Sequence, residues 1–207
     1  MPLIYLPEPN AVLLHLPKSG GLSIRGKPSE KIKGCWPGRR VVTNKHIPEN
    51  FPMDRCFGCH RHPLTHFLSG YHFFLKKYAK HPKKWNINMA INVLENDAIR
   101  IIGRRGKHNK QRMPCLLKHH IAPHTSPEFR SHLVKHWLAF ENYEEDFRRL
   151  CTDFLNVPIP ELPHNNKAPG PRDWRSELSD VQLTRLVSIY INDFEFFGYP
   201  IPDIRST

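Results

Sequence analysis

Residues 11–25 read AVLLHLPKSGGLSIR, and the fold turns on them. An apolar run breaks at Pro17 into a lysine, two serines and a glycine pair, then resumes at Ile24. A buried strand feeding a glycine turn is the pattern of a loop that receives an anion. Gly20 and Gly21 let backbone N–H groups crowd a phosphate, and Lys18 with the Ser19 and Ser23 hydroxyls completes a cradle. It is not a Walker A motif, whose lysine follows the last glycine, because here Lys18 precedes both. The same residues also make an ordinary glycine turn with a solvated lysine, and the segment alone does not separate the two.

Working outward, RVVTN (40–44), RCFGCH (55–60) and the stretch 132–140 read as further short strands. Pro63 stands near the first position of a helix running to about Lys80, with Phe67, Tyr71 and Phe74 on one face. A second helix is expected over about 86–102. Asn142 is placed to cap a third, to about Leu155, with acidic residues in its first turn. Ser179 caps a last one, from about Asp180 to Phe197, ended by Gly198. Strand alternating with helix predicts one α/β domain over residues 1–207, its central sheet mostly parallel and flanked by helices.

The chain of 207 residues carries 31 Lys and Arg against 19 Asp and Glu, a net charge of +12 before any of its 14 histidines protonates. An anionic partner follows: a nucleotide, an acidic sugar or a nucleic acid. No RNP, KH, zinc-finger or helix-turn-helix pattern is present, so nucleic acid is not expected. Five cysteines, an odd number, do not make a secreted disulfide framework. Cys56-Phe57-Gly58-Cys59-His60 matches the C-x-x-C-H of haem attachment, but its flanks read as a short buried strand. A zinc site would need His60, His62 and His66 to stand in for a missing second cysteine pair. No metal is expected. No apolar stretch reaches the roughly 18 residues that span a bilayer, and MPLIYLPEPN has no basic region followed by an apolar one. The expectation is a soluble, cytoplasmic protein.

Pro17-Lys18-Ser19-Gly20-Gly21-Leu22-Ser23 after a buried strand resembles the 5′-phosphosulfate loop of sulfotransferases that use 3′-phosphoadenosine-5′-phosphosulfate (PAPS). Arg61-His62-Pro63 followed by Ser69-Gly70-Tyr71 resembles the second signature of that family. Phe140-Glu141-Asn142 with Glu145-Asp146-Phe147 is similar to an E-N-L-x-x-D-F element, read as structural. Leu162 to Asn166, Asp173-Trp174 and Tyr190-x-x-Asp193-Phe194-x-x-Phe197-Gly198-Tyr199 resemble the tail of the Golgi-type carbohydrate enzymes, the sulfotransferase family 2-like group. His120-x-x-Pro123 adds a short similar element. The sequence departs from the family at His66, where a second arginine is usual, and at Leu22, where threonine is frequent.

The resemblance implies a P-loop-nucleotide-binding-like sulfotransferase fold and a metal-free enzyme moving sulfate from PAPS to a carbohydrate hydroxyl. It implies that Lys18 steadies the leaving oxygen. The backbone of Ser19, Gly20, Gly21 and Leu22, with the Ser23 hydroxyl, holds the 5′-phosphate, and Arg61 and Ser69 hold the 3′-phosphate. His46 is the candidate general base and Glu141 the alternative. Lys167, Arg172 and Trp174 are candidates for the adenine end. Lys45, Arg39, Arg40 and the run 104–112 are candidates for an acidic acceptor. The competing reading is a catalytically degenerate nucleotide- or polyanion-binding protein on the same fold. If the chain is the trimmed part of an anchored relative, the Golgi lumen replaces the cytoplasm.

Overall fold

Ala11–Leu14 is buried along its whole length, as four consecutive apolar residues ended by a proline turn dictate. The computed structural model describes residues 3–26, 33–36, 39–40, 51–101, 112–163 and 173–204. In chain order these form β1 (Leu3–Leu6), β2 (Ala11–Leu14), α1 (Gly21–Arg25), β3 (Arg39–Arg40), β4 (Cys56–His60), α2 (Pro63–Lys77), α3 (Ile87–Glu95), α4 (Arg112–Ile121), β5 (His136–Ala139), α5 (Tyr143–Arg149), α6 (Trp174–Glu177), α7 (Asp180–Ile189) and α8 (Ile191–Phe197). They group into two compact units, Met1–Arg61 with Phe129–Gly170 and His62–Glu128 with Pro171–Thr207.

The first unit holds the sheet, in the order β3-β1-β2-β4-β5. β1 pairs antiparallel with β2 and with β3, whereas β2–β4 and β4–β5 are parallel. The α/β class holds, but the sheet is mixed rather than mostly parallel. The cause is the turn Pro7–Asn10, which reverses the chain straight after β1. Asn10 takes the left-handed φ of 46° and donates its N–H to the Pro7 carbonyl (3.1 Å), while its side chain accepts from the Tyr5 hydroxyl (2.9 Å). β3 covers Arg40, the first residue of the predicted RVVTN strand, and 41–44 lie outside the described residues.

One face of the sheet, from Ala11, Leu13, Phe57, Cys59 and Leu138, packs against Ile24, Trp36, Phe147, Leu150 and Leu155. Gly58 lies opposite Trp137, and a Cβ there would come within 2.7 Å of the indole, so the CFGCH strand needs a glycine in its middle. Cys56 and Cys59 are buried, and burial pushes both thiols up to about 12. The C-x-x-C-H match is thus a core strand. α5 continues as a π-helical stretch over Leu150–Leu155, reaching the end expected for the third helix. Asn142 precedes it without making the side-chain cap that was expected.

The second unit is helical. Phe67, Tyr71 and Phe74 of α2 are buried, as their spacing predicts. α3 begins at an Asn86 cap, whose side chain accepts from the Met89 N–H (2.9 Å), and ends at Glu95 rather than near 102. Ser179 and Gln182 form a reciprocal capping box, and the expected last helix breaks at Tyr190 into α7 and α8 before Gly198 ends it at φ 70°. Among the described residues no helix is long and apolar enough to cross a membrane.

Candidate functional site

β2, β4 and β5 run parallel, with Leu14 beside Gly58 and His60 beside Ala139. Their carboxyl ends therefore open on one edge of the sheet, the edge at which open α/β sheets hold ligands. Three segments leave it: the loop after β2, Arg61 after β4 and Phe140–Asn142 after β5.

The loop is closed from within. Leu16 donates its N–H to the Leu14 carbonyl (3.1 Å), and the buried Ser19 hydroxyl donates to the Leu16 carbonyl (3.0 Å). Lys18 stands at φ 62° and Gly20 at φ 92°. The second is free for glycine, whereas the left-handed conformation costs a lysine about 1 kcal/mol. α1 starts at Gly21, where the first N–H groups of a helix have no intrahelical acceptor. With five residues its dipole is small, and the described segments that leave this edge bring Lys18 and Arg61.

Two aromatic rings bound the loop. A Cβ on Gly20 would lie 3.0 Å from both the Phe140 and Tyr143 rings, and the Tyr143 hydroxyl donates to the Gly20 carbonyl (3.1 Å). Burial pushes the Tyr143 phenol well up, with the Cys59 and Cys35 thiols as lesser causes, so it stays a neutral donor. The Arg61 guanidinium lies 4.3 Å over the Phe140 ring, a cation–π arrangement that also aims the side chain. Phe140 therefore touches both the glycine turn and the arginine.

Residues 33–36 come back across α1: Cys35 donates its N–H to the Ser23 carbonyl (3.1 Å) and Trp36 to that of Ile24 (2.8 Å). A Cβ on Gly34 would overlap the Gly26 nitrogen, so this strap lies backbone on backbone. Sequence reasoning missed it, and the signal was the trio Gly34-Cys35-Trp36 inside a basic loop. Asp146 accepts the Ala139 N–H (2.8 Å) and Phe147 is buried beside Trp36, so the E-N-x-x-x-D-F element is structural here. Glu141 is exposed at the sheet edge.

In the second unit Ser69 is half-buried on α2. His66 is buried, its ring 4.1 Å from that of His124 and 6.3 Å from that of Tyr190. It occupies the helical interior. The Tyr190 hydroxyl donates to the Ile121 carbonyl, and the buried Asp193 carboxylate accepts from the His124 N–H (2.7 Å), the Thr125 N–H (2.8 Å) and the Thr125 hydroxyl (2.6 Å). The tail element and His120-x-x-Pro123 thus meet in space and serve packing. Trp174 carries the Arg175 guanidinium 4.2 Å over its ring and lies near-parallel to His62 at 6.3 Å. A base stacked on Trp174 would have to share that ring. His46, Lys167, Arg172, Lys45 and 104–111 lie outside the described residues, and Arg39 and Arg40 are described by their backbone alone. Among the described residues, no three His, Cys, Asp or Glu side chains gather to hold a metal ion.

No family model, curated protein or solved structure matches the chain. The site is therefore read from its own residues.

Proposed function

We propose that the protein transfers a sulfuryl group from PAPS to a hydroxyl of a carbohydrate acceptor. The observation that carries this reading is the loop itself: a lysine held at φ 62° and a glycine at φ 92°, with Arg61 lying over the ring that bounds the glycine. The left-handed backbone of Lys18 is strain of the kind that collects at functional sites, and two cations at one sheet edge suit a donor with several negative groups.

Sulfuryl transfer resembles phosphoryl transfer in having a loose, in-line transition state, so the protein supplies position and charge rather than covalent chemistry. The acceptor oxygen forms a bond to sulfur as the bond from sulfur to the bridging phosphate oxygen breaks. The electron pair of the broken bond leaves with the 5′-phosphate, where Lys18 neutralises it. The acceptor proton goes to a general base, His46 in this reading, with Glu141 as the alternative. Backbone N–H groups from Ser19 to Leu22 and the Ser23 hydroxyl hold the 5′-phosphate, and Arg61 holds the 3′-phosphate. Ser19 contributes only its N–H, since its hydroxyl donates to Leu16.

That spent hydroxyl, with Leu22 in place of a hydroxyl residue, favours a second reading in which the loop binds a nucleotide without turnover. Incubation with labelled PAPS and a panel of glycans separates the two. The first reading requires transfer that Lys18→Ala reduces by about 10²–10³-fold, and equal transfer by both proteins overturns it. Tight binding of adenosine 3′,5′-bisphosphate with no transfer to any acceptor supports the second.

A further inference from the structure

Residues 76–84 read KKYAKHPKK, five lysines and a histidine within nine positions, and from His62 to Leu94 the chain contains neither an acidic residue nor an arginine. Lys76 and Lys77 close α2, where cations at a helix carboxyl end are ordinary. Lys80, Lys83 and Lys84 lie beyond the helix and have no such role. All five lysines and His81 are exposed. The turn that carries them is anchored: Lys84 donates its N–H to the His81 carbonyl (3.0 Å), Trp85 to that of Pro82 (2.9 Å), and the Tyr71 hydroxyl to the Trp85 carbonyl (2.7 Å). The Trp85 ring packs edge-on to Phe74 at 4.9 Å. The nearest acidic residue along the chain, Glu95, is held by the Arg185 guanidinium through two hydrogen bonds.

From this arrangement we infer that the lysine turn over 76–84 is a binding surface for an acidic polysaccharide, one carrying sulfate or carboxylate groups. A rigid display of like charges attracts a linear polyanion and loses little entropy on binding it. The chemistry points away from nucleic acid. Bases are held by exposed aromatic faces and by arginine, whereas Tyr78 packs against Phe73, Phe74 and His120, Trp85 packs against Phe74, and the turn has no arginine. This surface stands independently of the donor reading above, because it needs neither PAPS nor turnover.

The test is titration of the whole protein with a heparin oligosaccharide and with an oligothymidylate of equal charge, over a range of salt. The variant changes Lys76, Lys77, Lys80, Lys83 and Lys84 to Gln together. Heparin affinity is expected to fall by about tenfold or more and the slope of log Kd against log salt by roughly 3 to 5, with the thermal midpoint retained. Replacing all five by Arg restores binding, and Lys18→Ala leaves it unchanged, which keeps this result distinct from the donor site. Should the fivefold variant not fold, Lys80, Lys83 and Lys84→Gln, outside the helix, reads a proportionate loss, with the slope falling by roughly 2 to 3. Unchanged affinity, or tighter binding of the oligothymidylate than of the heparin oligosaccharide, overturns the proposal.

Discussion

The two units use their motif residues in opposite ways. In the first, the conspicuous residues stand where parallel strands end: Lys18, at φ 62°, in the loop after β2, and Arg61, over the Phe140 ring, directly after β4. In the second, residues that look equally distinctive are consumed by packing. Gly70 admits the backbone of α4, His66 fills the interior beside His124, and Asp193 ties down the turn after α4. Distinctiveness in a sequence is therefore not evidence of chemistry until the side chain's partners are known.

The sharpest way to break this comparison is Asp193→Ala. It leaves two backbone N–H groups and a hydroxyl without their acceptor at a site 2% exposed, and about 3–4 kcal/mol of stability is expected to go, with Asp193→Asn losing about half as much. Denaturant unfolding measures it. A loss within experimental error would mean that the tail element is not structural.

Two glycine substitutions test the same division one step lower. Gly70→Ala drives a methyl against the His120 carbonyl, which is backbone and cannot swing away, so about 2–3 kcal/mol is expected. Gly20→Ala meets the Phe140 and Tyr143 rings and a φ of 92°, for about 1–2 kcal/mol. The readouts should diverge. Gly20→Ala is expected to weaken adenosine 3′,5′-bisphosphate binding by more than its stability change accounts for, and Gly70→Ala only in proportion to unfolding. Equal behaviour of the two in the binding assay would erase the distinction between the units.

How much of this was legible depends on whether a local signal had a local cause. β2 and its loop were readable because an uninterrupted apolar run ends in Pro and Gly, and β4 because its residues are buried on both sides. α2 and the Ser179 cap were readable from spacing and from a side chain bonding its own helix. β1 was missed because four residues before a Pro-Glu-Pro-Asn turn carry almost no periodic signal, and with it went the antiparallel half of the sheet. The break at Tyr190 was missed because its cause is distant: the phenol donates to Ile121, 69 residues away. At the sheet edge, the placement of Lys18 and Arg61 directly after buried strands was legible, whereas Phe140 as the ring beside both the glycine turn and the arginine follows from strand register, which the sequence pattern does not state.

The smallest expected effect concerns the exposed contact between α7 and α3, where Arg185 donates to Glu95 (2.9 and 2.5 Å) and to Asn92 (2.6 Å). Hydrogen bonding from Arg185 holds the Glu95 carboxyl below its ordinary value. A carboxylate with a depressed folded-state pKa contributes stability that is present above its unfolded value and lost as pH falls through the folded one. Solvent screens this pair, so Arg185→Gln is expected to cost about 0.3–1 kcal/mol at neutral pH. The difference from the parent should shrink in salt and fall, once acid has protonated Glu95 in both proteins, to what the Asn92 hydrogen bond contributes. A difference undiminished in acid would mean that Arg185 acts through its stem and the Asn92 bond rather than through the Glu95 charge, placing this surface contact with the interior contacts of the same unit.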